Sequence, residues 1–83
     1  MMNATNNTLD KADINRDYVI LKVRGEKQIK RRLMDMGLIP GTMLHVRKLA
    51  PLGDPMEITV KGTELTIRKS DAFNILVDPV TEE

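Results

Sequence analysis

The chain is most constrained at Met36-Gly37-Leu38-Ile39-Pro40-Gly41-Thr42, where two glycines and a proline crowd into one short stretch. No regular element crosses such a stretch, because proline lacks an amide proton and glycine loses the most backbone freedom when held in a helix or strand. The residues before it have helical period. Ile29, Leu33 and Met36 stand at i, i+4 and i+7 and share one helical face. Arg31 and Arg32 fall in the last turns, where positive charge suits the negative end of the helix dipole. Gly37 occupies the position at which a left-handed residue ends a helix, with Leu38 as its apolar clasp. Pro40-Gly41 fits a turn with proline second and glycine third. The residues that follow alternate with period two. The stretch is a corner that swings the chain from a helix into a sheet.

Upstream of that corner, Tyr18 to Val23 is β-branched and apolar enough for a strand. Both of its faces look apolar in the middle, as they would if a helix covered one side. Arg24-Gly25 breaks this strand, and Glu26 opens the helix with a negative charge near its start. Downstream, Met43 to Leu49 predicts a strand with Leu44 and Val46 inward and His45 and Arg47 outward. Ala50 to Pro55 carries two prolines and a glycine and is a connection. Met56, Ile58 and Val60 alternate with Glu57, Thr59 and Lys61, a strand buried on one face. Lys61-Gly62 turns the chain into a partner strand, Glu64 to Arg68, that buries Leu65 and Ile67. Ser70 is placed to cap a single helical turn through Asp71-Ala72-Phe73. A last strand, Ile75 to Asp78, ends at Pro79. The expected fold class is mainly β: a small five-stranded antiparallel barrel with one α-helix after the first strand and a one-turn helix before the last. Residues 1–15 are expected to be flexible, tacked down through Leu9 and Ile14, residues 16–79 to form the barrel, and residues 80–83 to fray as an acidic tail.

Eighty-three residues allow one domain with a modest core, and with Tyr18 and Phe73 as the sole aromatic side chains that core is built from Ile, Leu, Val and Met. The absence of cysteine excludes disulfides, thiolate nucleophiles, zinc fingers and iron–sulfur ligation. A net charge of +1 gives no bulk attraction for a polyanion. Val19-Ile20-Leu21 is far too short an apolar run to span a membrane, and Met1 to Asp13 has neither the apolar run nor the basic prelude of a signal peptide. The expectation is a cytoplasmic protein without direct membrane insertion.

The inventory for chemistry is thin. One histidine, no cysteine, carboxylates scattered over turns and strand exteriors, and no phosphate-binding glycine loop argue against an enzyme. His45 is the sole imidazole. Together with Glu57 or Glu64 from neighbouring strands it is a weak metal candidate, one histidine where sites need three or more ligands. No cofactor is therefore required, and at most weak or transient divalent metal binding is expected. Lys27, Lys30, Arg31 and Arg32 make a basic helix segment that is a solvated face, a phosphate contact or a docking face for an acidic partner. Nucleic acid is not expected, since barrels that bind it commonly offer aromatic platforms for stacking. Met34, Leu38, Ile39, Met43 and Leu52 are more apolar than a barrel rim needs once Ile29, Leu33 and Met36 fill the inner stripe. Leu38 belongs to the core. Met34 and Ile39 either plug the barrel end or meet a partner, a role that the adaptable shape of methionine suits. The candidate partner-binding set is Arg31, Arg32, Met34, Ile39, Met43 and Leu52.

Arg32 to Gly41 resembles the R-L-x-x-x-G-[L/M/I]-x-P-G signature of the ferrous iron transport protein A (FeoA) family. The resemblance continues through Ala50-Pro51-Leu52-Gly53-Asp54-Pro55, the alternating strand and Gly62, then Leu65, Arg68, Ala72 and Ile75-Leu76-Val77. It covers residues 18 to 78, and Asn15-Arg16-Asp17 stands where family members usually carry a leucine-rich segment and a Pro-Gly pair. The resemblance implies an SH3-like barrel acting without enzymatic activity beside the large membrane GTPase that carries ferrous iron into bacteria. The module is also similar to the C-terminal SH3-like domain of metal-dependent repressors, which implies a stand-alone regulatory module as the alternative. The implied partner is that GTPase transporter, reached at the inner face of the membrane, and homo-oligomerisation stays open.

Overall fold

Residues 7–80 are described in the computed structural model. They form strands β1 (Asn7–Thr8), β2 (Arg16–Val23), β3 (Met43–Leu49), β4 (Met56–Val60), β5 (Thr63–Ile67) and β6 (Ile75–Pro79). Helix α1 (Lys27–Asp35) follows β2, the four-residue helix α2 (Lys69–Ala72) precedes β6, and a 3-10 turn (Leu9–Lys11) follows β1. The strands make one antiparallel sheet in the order β1-β6-β2-β3-β4-β5. Five of them, both helices and their order match the sequence reading. The sixth is β1, paired Asn7↔Val77 and Thr8↔Leu76 along the outer edge of β6.

Residues 7–15 are thus not the loose segment expected from their composition. Leu9 is fully buried in the core, and the Tyr18 hydroxyl accepts a hydrogen bond from the Asp13 backbone N–H at 2.9 Å. Ile14, the second expected anchor, is exposed. A two-residue strand has no period to read, so only the sheet edge that it covers reveals it. The expectations for residues 1–6 and 81–83 lie outside the described residues, and Val80, expected to begin the frayed tail, donates its N–H to the Asp17 carbonyl at 3.0 Å.

The apolar middle of β2 has a different cause from the helical cover that its sequence suggested. The register against β6 shifts between Ile20 and Lys22, a bulge that turns both Leu21 and Lys22 outward before Val23 returns to the core. A second shift in β3, between Val46 and Lys48, falls against β4. Bulges raise local twist, and these two sit in the central strands, where the sheet must curl around its contents. The contents are aliphatic. Ile20, Val46, Met56, Ile58, Ile75 and Val77 are buried from four strands, with Leu33 of α1 and Leu9 beside them. Each such side chain contributes roughly 1.5–3 kcal/mol by leaving water.

The helix terminus is built as its sequence suggests. Leu38 N–H donates to the Leu33 carbonyl at 3.1 Å and Gly37 N–H to the Met34 carbonyl at 3.0 Å, the paired bonds of a Schellman motif. Gly37 has φ +97°, which an L side chain rarely adopts. Leu33 and Leu38, the two apolar partners in that motif, are both fully buried. The second helix differs from expectation. Ser70 does not cap it, because α2 begins at Lys69 and Ser70 lies inside it. The cap comes from the 50s connection, where an Asp54 side-chain oxygen accepts the Lys69 N–H at 3.0 Å.

Candidate functional site

The corner after α1 closes by its own hydrogen bonds and then locks onto β2. Thr42 N–H donates to the Ile39 carbonyl at 3.0 Å across Pro40-Gly41, with Gly41 at φ +92°, the geometry of a turn that requires glycine third. Gly41 N–H donates to the Ile20 carbonyl at 2.7 Å, and Ile20 N–H to the Thr42 carbonyl at 2.9 Å. Met43 then pairs with Val19. These bonds hold Ile39, Pro40 and Met43 against the outward bulge of β2, which adds Leu21. Ile39 is 40% exposed, Met43 52% and Leu21 47%. Met34 is exposed as well, so neither Met34 nor Ile39 plugs the barrel end, whereas Leu38 does enter the core.

The six candidate partner-binding residues do not form one surface. Arg32 and Met34 are two positions apart on α1, about 200° around a helix of 3.6 residues per turn, and so lie on opposite flanks. Arg32 faces α2, where its guanidinium donates to Asp71 Oδ1 at 2.8 Å, and it lines a cleft with Met36, Thr66, Ile67, Arg68 and Ser70. Arg31 is exposed at the helix surface, with no ion pair among the described residues. Leu52 is 95% exposed, but it follows β3, whereas Met43 begins it, and a strand of that length separates its ends by roughly 20 Å. The apolar surface at the corner therefore consists of Ile39 and Met43 with Leu21, flanked by the helix that carries Met34.

His45 stands outward on β3 and is opposite Asp17 of β2 in the register. Its Nδ1 lies 2.6 Å from Asp17 Oδ1. Neither of the carboxylates suggested as its metal partners is engaged with it. Arg47 takes both, with Nη1 at 3.1 Å from Glu64 and 3.7 Å from Glu57. The ladder explains this arrangement, since His45 is opposite Thr59 on β4, and Arg47 occupies the next outward position on β3. No group of three or more His, Asp or Glu side chains is placed to hold a metal among the described residues.

Two exposed features were not singled out from the sequence. Leu21 sat inside an apolar run that gave no sign of the bulge exposing it. Phe73 carries the Arg24 guanidinium 4.7 Å from its ring centroid, while Arg24 Nη2 donates to the Phe73 carbonyl at 3.1 Å. This clasp ties the end of β2 to the turn after α2, and no local signal joins residues so distant in sequence.

No helix among the described residues is long and apolar enough to cross a membrane. A family model for the FeoA domain matches residues 7–79, beginning ahead of the Asn15-Arg16-Asp17 departure. Over 63 residues, 76% of the chain, the sequence is 30% identical to the Fe(2+) transport protein A/Fe(2+) transporter FeoB fusion protein of Porphyromonas gingivalis, of whose length it spans 8%. The NMR structure of a FeoA-like protein from Clostridium acetobutylicum superposes with a TM-score of 0.87 at 31% identity, covering 96% of this chain and 93% of that one. The zinc complex of FeoA from Stenotrophomonas maltophilia, described as a procaryotic SH3 domain protein, superposes with a TM-score of 0.75 at 26% identity, covering 87% and 89%. ScaR with bound Zn2+ shares the fold alone, with a TM-score of 0.83 at 20% identity over 96% of this chain and 40% of that one. The Schellman corner, the curled antiparallel sheet and a match running from β1 to the last residue of β6 lead to one conclusion: the chain belongs to the FeoA domain family.

Proposed function

We propose that this chain is a non-enzymatic accessory protein of ferrous iron uptake that binds the membrane GTPase transporter at its cytoplasmic face and modulates it. The observation that carries this reading is the Porphyromonas gingivalis relative, in which the matching segment is part of a chain named for both the A protein and the FeoB transporter. Covalent fusion raises the effective concentration of two partners that otherwise meet by diffusion, so a pair found fused is a natural candidate for non-covalent association. The proposed contact is the corner: Ile39, Met43 and Leu21 as apolar anchors, Met34 on the flanking helix, and Arg31 steering the encounter with acidic groups. Apolar side chains that remain in water on a rigid turn suit this role, because they bind without first being ordered.

Iron is the cargo of the system in this reading, not a resident of the chain. His45 and Asp17 supply two donors on one face, short of the three or more that hold a transition metal firmly, so divalent metal binding there is weak and transient. No nucleic acid partner is included, and the protein reaches the membrane only through the transporter.

The test is co-purification of the tagged chain with the transporter from membranes. Met34→Asp and Ile39→Asp each leave the circular dichroism spectrum unchanged and abolish capture, because a carboxylate buried at the contact goes unpaired. Capture that survives both changes overturns the assignment of the surface. Recovery of a helix-turn-helix repressor in place of the transporter overturns the uptake role itself and favours the regulatory module.

A further inference from the structure

The second feature of interest is the open edge of β5. Lys61 and Gly62 form a two-residue hairpin turn with positive φ at both positions, which makes Val60↔Thr63 the first hydrogen-bonded pair. Alternation along the ladder then bonds Ile58↔Leu65 and Met56↔Ile67, and directs the N–H and C=O groups of Glu64 and Thr66 away from β4. Among the described residues no strand takes them up, since β5 ends the sheet order. Such an edge is a template for another chain, and proteins commonly blunt or cover it.

Here the edge borders an open cleft of about 420 Å³. Thr66, Ile67 and Arg68 line it from the sheet side, and Arg32 of α1 and Met36, just past its end, from the other. Asp71 also lines it but is held by Arg32 at 2.8 Å, and Arg68 has no carboxylate partner among the described residues. The cleft thus combines unpaired main-chain donors and acceptors, apolar surface from Met36, and one unanswered positive charge. We infer that it is a strand-addition site for an extended, carboxylate-bearing segment of a partner protein. The segment bonds to the main chain of Glu64 and Thr66, sets an apolar side chain over Met36, and presents a carboxylate to Arg68.

A second copy of the chain is a poorer occupant. Symmetric pairing of two β5 strands about Leu65 would bring Gly62 opposite Arg68 and leave the charge unmatched, and pairing about Thr66 would offer Arg68 the Glu64 carboxylate that Arg47 already holds at 3.1 Å. The site is on the Arg32 flank of α1, not the Met34 flank, so it does not rest on the docking surface proposed above.

The experiment titrates the full chain, labelled with nitrogen-15, with a short capped peptide of alternating valine and glutamate, alongside its lysine-for-glutamate counterpart. Amide shifts confined to residues 64–68, Arg32 and Met36, with slowed exchange of the Thr66 amide, support the site. Arg68→Glu then weakens the glutamate peptide by about tenfold or more. Thr66→Pro removes one edge donor where an outer strand tolerates proline, and abolishes binding while the spectrum outside β5 is kept. Equal binding of the lysine peptide, shifts centred on Met43 and Leu21, or no shift at millimolar peptide overturns the proposal. So does a peptide-independent dimer broken by Thr66→Pro, which would assign the edge to a second copy.

Discussion

The two connections that flank β3 are written in the same residues and behave differently. The corner before it, Gly37 to Thr42, and the loop after it, Ala50 to Pro55, each combine proline and glycine with an apolar side chain. In the corner Leu38 is fully buried, and in the loop Leu52 is 95% exposed. The corner inherits unsatisfied carbonyls from a helix end, and the bonds that satisfy them draw the next apolar residue down onto Leu33. The loop joins two strands that are already paired. It closes on itself through Ala50 N–H to the Pro55 carbonyl at 3.0 Å and Gly53 N–H to the Ala50 carbonyl at 2.7 Å, and has no helix end to clasp. Its tie to the body is the Asp54 cap on α2, which holds Asp54 and leaves Leu52 in water. A leucine beside a glycine is drawn into the core here where a helix terminates and stays in water where two paired strands are joined.

Substitutions can break this contrast. The largest effect is expected for Leu38→Ala, which deletes a fully buried side chain and costs about 2–5 kcal/mol in urea denaturation, a large part of the stability of so small a domain. A loss below 1 kcal/mol by that measure would mean the clasp is not part of the core. Gly37→Ala meets nothing within 4 Å, so its cost comes from φ +97° alone, about 1–2 kcal/mol in the same assay. The Asp54 cap comes next. Asp54→Ala lowers stability by about 1 kcal/mol and speeds amide exchange at Lys69 to Ala72 while exchange at the corner stays slow. For the Arg32–Asp71 pair, whose arginine is more than half exposed, a double-mutant cycle gives a coupling of about 0.2–1 kcal/mol that fades with added salt. Leu52→Ser changes stability by less than about 0.5 kcal/mol, and a larger loss would place Leu52 against the body after all.

Sequence reasoning reached the fold further than the site. Period two in Met56-Glu57-Ile58-Thr59-Val60 and the glycine stop at Gly37 are local signals, and each element that they mark is present. The candidate set rests on residue type: methionine, isoleucine, leucine and arginine side chains near a corner. Type does not carry direction. Arg32 and Met34 are two residues apart in the chain yet on opposite flanks of α1, and Arg32 is taken by Asp71, thirty-nine positions away. The bulge at Leu21 and the pairing of His45 with Asp17 are equally invisible, because a register shift and a cross-strand neighbour are properties of two strands at once.

The chain by itself determined the type and order of five strands and two helices, the stop of α1 at Gly37 and the buried face of β4, because hydrophobic period, helix-stop chemistry and turn residues act over a few neighbours. Only the tertiary structure decided which charges are spent, which loop caps α2, that β1 covers one sheet edge and that β5 is left open at the other. Those outcomes depend on partners brought together from distant positions, and no local pattern encodes the neighbour that folding will supply.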